Sequence, residues 1–152
     1  MKIQTVRFGE MEVDESRLIT FSKGIPGFDE DKRYVLLPAD EQGETPFFFL
    51  QSVERAELSL LLLDAFSFFE GYDVELGDSV IGKLVIEKSE DVLVLTTVTA
   101  KGGLKEATTN LKAPIVINHS KRLGMQVVLE NKFYKVKQPL FLHQQKAAIG
   151  QV

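Results

Sequence analysis

Apolar residues along the chain fall mostly into short runs that suit strands. Residues 2–8 alternate, with Ile3, Thr5 and Arg7 set against Lys2, Gln4 and Val6 ahead of Gly9, and predict an opening strand. Shorter strands are predicted over 11–13 and 18–21, around the acidic turn Asp14-Glu15-Ser16. In Gly24-Ile25-Pro26-Gly27-Phe28, Pro26 followed by Gly27 suits the centre of a type II turn, because proline presets φ and glycine accepts the positive φ after it. Residues 34–37 are a β-rich run closed by Pro38, and 39–45 form a polar loop.

The next runs do not alternate. Residues 46–52 (PFFFLQS) and 58–63 (LSLLLL) are apolar on both sides. Such strands must be covered on both faces, as in a small barrel or sandwich, because left open they would pair between molecules. Residues 92–100 read as a strong strand, with Lys101-Gly102-Gly103 suiting a tight hairpin. Helical spacing appears at Val80, Ile81 and Leu84, predicting a short helix over 78–84 with Asp78 or Ser79 as N-cap and 84–86 running on as a strand. Residues 114–117 and 125–129, joined by the polar 118–124, read as a paired β unit. Residues 134–137 suit a closing strand with one wet face. Leu140, Phe141 and Leu142 either dock on the body or form an edge that a partner covers.

Composition narrows the classes. A length of 152 residues fits one domain, and 44% apolar with 26% charged residues is far from the disordered and membrane extremes. The longest aliphatic run, 60–63, falls well short of the ~20 residues a spanning helix needs. Without cysteine there is no disulfide, thiolate nucleophile or Cys-ligated metal, and MKIQTVRFGE lacks the apolar core of a signal peptide, so a cytoplasmic location is expected. A net charge of −4 gives nucleic acid no general encouragement to bind. It would steer in a basic protein, although mild acidity also serves solubility alone.

Chemistry is sparse. The only imidazoles are His119, in a polar turn, and His143, near the C-terminus; neither has a visible nucleophile or third partner, and two histidines without cysteine do not make a zinc site. Asp29, Glu30 and Asp31 read as solvated acids, and Asn110 and Asn118 as residues that bond backbone in turns. No G-x-G-x-x-G or Walker pattern surrounds Gly102-Gly103, and a calcium loop starting at Asp73 fails because Gly77 and Asp78 fall where an acid and then glycine are required. Phe66, Phe68, Phe69 and Tyr72 are interleaved with Glu70, Asp73, Glu75 and Asp78, and two readings are open. The rings cap one end of the core while the acids face water, or aromatic anchors inside an acidic rim form a protein interface. On the second reading the candidate interface residues are Phe69, Glu70, Tyr72, Asp73 and Glu75. A rival class is a barrel holding a small ligand, which eleven phenylalanines could line.

Thr109-Asn110-Leu111-Lys112-Ala113-Pro114-Ile115-Val116-Ile117-Asn118, followed by 126–129, resembles the signature of the bacterial flagellar assembly factor FliW family. Phe21 through Gly24-Ile25-Pro26-Gly27-Phe28, then Pro46-Phe47-Phe48 through Leu50-Gln51-Ser52, then 92–99, fall in that family's order and spacing, so the resemblance covers roughly 3–141. It implies a mostly β, single-domain, antiparallel β-barrel-like fold with one or two short helices over 1–143. The tail 144–152 is left outside, helical or disordered. It also implies a cytoplasmic protein without catalytic activity or cofactor, monomeric when free, with neither membrane nor nucleic acid as a direct partner. The implied partners are the RNA-binding regulator CsrA, whose repression of flagellin translation is relieved from a site away from the RNA surface, and flagellin itself, in a partner exchange.

Overall fold

A computed structural model describes residues 1–141; the predicted tail 144–152 lies outside them, as do Leu142 and His143. The non-alternating runs are the middle of the fold. β5 (Phe47–Ser52) pairs antiparallel with β4 (Arg33–Pro38) on one side and β6 (Ser59–Leu63) on the other. The sheet continues from β6 to β7 (Val92–Thr99) and from β4 to β3 (Ile19–Thr20). The hairpin of β9 (Ile115–Asn118) and β10 (Leu123–Gln126) then joins the two ends, β9 antiparallel to β7 and β10 parallel to β3. Seven strands thus close a barrel, as the doubly apolar runs require.

Alternate residues of each strand face opposite sides, and here both sides are covered. Inward lie Ile19, Phe21, Tyr34, Leu50, Leu62, Leu95, Ile115 and Ile117, all essentially inaccessible. Outward, Val35 packs against Ile3 and Val13 beside the hairpin of β1 (Lys2–Thr5) and β2 (Gly9–Glu12). Leu63 packs against Ala107 and Leu140, which flank the short pair β8 (Thr108–Thr109) and β11 (Gln138–Pro139). Val94 packs against Ala65, Tyr72, Leu111 and Leu129.

The mostly antiparallel barrel with two short helices, α1 (Ala65–Phe68) and α2 (Asp78–Lys83), agrees with expectation, and the exception is the parallel β3–β10 seam. Gly27 at φ +93° and the bond from Phe28 N–H to the Ile25 carbonyl at 2.7 Å make the expected turn. Several expectations need correction. The first strand stops at Thr5, whose hydroxyl accepts the Phe8 N–H and donates to the Gly9 carbonyl, both at 2.8 Å, turning the chain early. Gly77, not Asp78 or Ser79, is the N-cap of α2. No strand forms over 84–86, because Val85 sits at φ +53° while Asn118 Nδ2 donates to the carbonyls of Leu84 (2.8 Å) and Val85 (3.1 Å).

The turn at 101–103 is not tight; a 3₁₀ turn, Leu104–Glu106, intervenes before β8 returns to β7 at Val98 and Thr99. Residues 134–137 form no strand, and the chain closes instead through β11. Residues 127–129 lie beyond β10, yet Val127 and Leu129 still donate to the Pro114 and Lys112 carbonyls at 2.9 and 2.8 Å. Asp31, expected in solvent, is 4% exposed and lies 3.1 Å from Arg55 Nη2.

At the seam, a Cβ on Gly124 would stand 2.6 Å from the ring of the fully buried Phe21. Only hydrogen fits there. Gly9, by contrast, has positive φ but open space around it. Gly124→Ala should therefore cost about 2–3 kcal/mol from overpacking, and Gly9→Ala about 1 kcal/mol from backbone strain alone. Urea denaturation checks this; equal costs would mean that the seam does not depend on that contact.

Candidate protein-binding groove

The chain leaves β6 through Asp64, whose carboxylate accepts the Ser67 hydroxyl at 2.8 Å, and makes the single turn of α1. Gly71, at φ +83°, reverses it and drops Tyr72 onto the barrel wall, where it is 7% exposed. The Tyr72 hydroxyl donates to the Leu111 carbonyl at 2.9 Å, and its ring packs on Tyr134 with centroids 4.8 Å apart. The Asp73 N–H donates to the Tyr134 hydroxyl at 2.7 Å. From the other side, Leu111 N–H donates to the Lys135 carbonyl and Lys112 Nζ to the Asn131 carbonyl, both at 3.0 Å. Two tyrosines therefore tie the 65–76 and 127–135 segments together. Burial, and then the neighbouring Tyr134, pushes the Tyr72 hydroxyl pKa well above its usual value.

Between these segments runs a cavity of about 700 Å³. Asp73, Glu75 and Val80 lie on one bank and Val128, Leu129 and Glu130 on the other; the lining holds three carboxylates and no lysine or arginine. The five candidate interface residues divide. Glu70, Asp73 and Glu75 are exposed, and the latter two line the groove. Phe69 is half-buried between two outer clusters, and Tyr72 is underneath, so these rings support the surface from below. Sequence reasoning missed the second bank. Its signal was available in Val127-Val128-Leu129: Leu129 packs inward, which leaves Val128 72% exposed.

Other candidates resolve into architecture. Asn118 Oδ1 accepts the N–H groups of Ser120 (3.0 Å) and Lys121 (3.1 Å), and Asn110 Oδ1 those of Lys112 (3.1 Å) and Ala113 (2.9 Å), as expected of turn asparagines. His119 is exposed in the β9–β10 turn with Nε2 3.0 Å from the Glu90 carbonyl. The phenylalanines are divided: Phe21, Phe28 and Phe48 fill the inner core, Phe47, Phe68, Phe69 and Phe141 sit in an outer cluster, Phe8 meets Phe49 edge to face, and Phe133 is 88% exposed. A second cavity, about 210 Å³, lies among Lys23, Gly24, Pro26, Lys83, Leu123 and Met125. Among the described residues no helix is long and apolar enough to cross a membrane.

Comparison with known proteins gives a consistent result. The family described as FliW protein matches residues 2–140. The flagellar assembly factor FliW of Natranaerobius thermophilus is 44% identical, with 100% of both chains covered. That of Clostridium beijerinckii is also 44% identical, over 92% of this chain and 98% of its own. A crystal structure of the flagellar assembly factor FliW superposes with a TM-score of 0.84 at 42% identity, covering 92% of this chain and 96% of that one.

The two buried tyrosines make a contrasting pair. Tyr34 is fully buried, its hydroxyl has no hydrogen-bond partner, and burial with the nearby Asp31 charge pushes its pKa up to about 12. Tyr72→Phe should cost about 1–2 kcal/mol at neutral pH, because it leaves the Leu111 carbonyl unpaired, while Tyr34→Phe should be neutral or stabilising. Both folded-state values lie above the unfolded value of about 10, so the folded protein keeps protons that the unfolded chain releases. Stability is full below pH about 10 and falls above it by about 1.4 kcal/mol per pH unit for each tyrosine. Either phenylalanine variant should flatten that slope in denaturation curves taken from pH 9 upward, and an unchanged slope would refute the assignment.

Proposed function

This chain belongs to the FliW family of flagellar assembly factors, and on that premise we propose that it works as a stoichiometric protein antagonist. It binds the translational regulator CsrA and lifts CsrA repression of flagellin mRNA. It also binds flagellin, and the two partners exchange, so that loss of flagellin from the cell frees the protein to capture CsrA. The observation that carries this reading is the groove, with its three carboxylates, its apolar floor and no cation in its lining. A basic surface of CsrA away from its RNA-binding face would complement this groove. A chain with a net charge of −4 is poorly suited to contact the RNA itself. As the family resemblance implies, relief of repression is allosteric, with binding at one site on CsrA lowering RNA affinity at another through a coupling free energy.

Isothermal titration of CsrA tests both parts. Glu70→Lys with Asp73→Lys should weaken binding at least ~10-fold, about 1.4 kcal/mol. The same charge change in the β4–β5 loop, Glu41→Lys with Glu44→Lys, should leave affinity within about twofold. Equal losses in both doubles, or none in the first, would put the interface elsewhere. In RNA competition, the apparent RNA Kd should rise to a plateau as this protein is added; a rise without limit would mean one shared site.

A further inference from the structure

The second bank of the groove is an extended segment beyond β10 whose outer side has no backbone partner among the described residues. Val127 and Leu129 turn their N–H groups toward the Pro114 and Lys112 carbonyls at 2.9 and 2.8 Å. Successive residues of an extended chain aim their backbone polar groups to opposite sides, so Val128 and Glu130 aim theirs away from residues 112–114 and into the groove. Among the described residues, neither the N–H nor the carbonyl of Val128 or Glu130 has a backbone partner. An exposed row of this kind is a template for another strand, and a helix could not use it. The row from 127 to 131 is about 16 Å long, enough for four or five residues of an added strand.

We propose that the groove receives an extended basic segment of a protein partner by strand addition along Val128 to Glu130. The proposal rests on the protein-binding reading of the same groove given above. Backbone hydrogen bonds to Val128 and Glu130 supply affinity that is independent of sequence. Side chains supply selection, with apolar residues resting on Val80 and Leu129 and alternate Lys or Arg reaching Asp73, Glu75 and Glu130. Self-pairing of two copies would bring two sets of these carboxylates together, which disfavours it.

The probe is a capped seven-residue peptide alternating lysine and valine, titrated at low salt by calorimetry and by amide NMR of the wild-type chain. The Val128 and Glu130 amide resonances should move downfield and exchange more slowly on binding. Val128→Pro removes one edge donor without breaking an internal hydrogen bond and should weaken binding at least ~10-fold, whereas Val128→Ala should weaken it less than about threefold. The same peptide N-methylated at every residue keeps its charge, loses its backbone donors and should bind poorly. Unperturbed Val128 and Glu130 amides in the bound wild type would overturn the proposal even if Val128→Pro failed to fold. So would full binding of the N-methylated peptide, or dimerisation through Val128. Equal CsrA affinity of wild type and Val128→Pro would sink strand addition while leaving the protein-binding reading standing. A wild type that takes the peptide with these signatures but never binds CsrA would do the reverse.

Discussion

Strands that are apolar on both faces cannot stand open, and this fold is organised by that demand. β4, β5, β6 and β7 carry apolar residues inward, at Tyr34, Leu50, Leu62 and Leu95, and outward, at Val35, Phe47, Leu63 and Val94. Closure satisfies the inner set, and it depends on the β9–β10 hairpin bridging β7 to β3. At that bridge the regular pairing is least extensive, a single register pair between Thr20 and Leu123. Phe21 fills the space because Gly124 has no side chain to contest it. The outer set is satisfied by segments that would otherwise be loops: the β1–β2 hairpin, the β8–β11 pair and the tyrosine-linked cover of 65–76 and 127–135.

Function follows from the same arrangement. The barrel interior is occupied by its own side chains, so on the proposed function recognition falls to the outer cover. That cover is held by specific bonds, Tyr72 to Leu111 and Asp73 to Tyr134, which set the spacing of the groove banks. The result is a surface on the barrel wall with acids at its rim and, along one side, a backbone edge without a partner among the described residues. A surface of this kind suits the proposed capture of a protein partner.

Much of the fold was legible in the sequence. The refusal of PFFFLQS and LSLLLL to alternate predicted coverage on both faces, and Pro26-Gly27 predicted its turn. Less legible were features set by contacts between distant residues. The left-handed Val85 is held by Asn118, more than thirty positions away, and no local pattern announces it. Asp31 reads as solvated until Arg55 and the barrel end close over it. At the groove, the acidic bank was visible as a run of carboxylates among aromatic residues. The Val128 bank depends on which side of an irregular strand faces the sheet, a choice made by hydrogen bonds to residues 112 and 114.

On the proposed function, partners bind on the outer cover and not at the seam or the second cavity. Amide hydrogen exchange followed by mass spectrometry, on the chain alone and with saturating CsrA, tests it most directly. New protection should be concentrated in residues 70–80 and 126–131, with exchange at Thr20 and Phe21 unchanged. Protection confined to 22–29, with none at the groove, would contradict it.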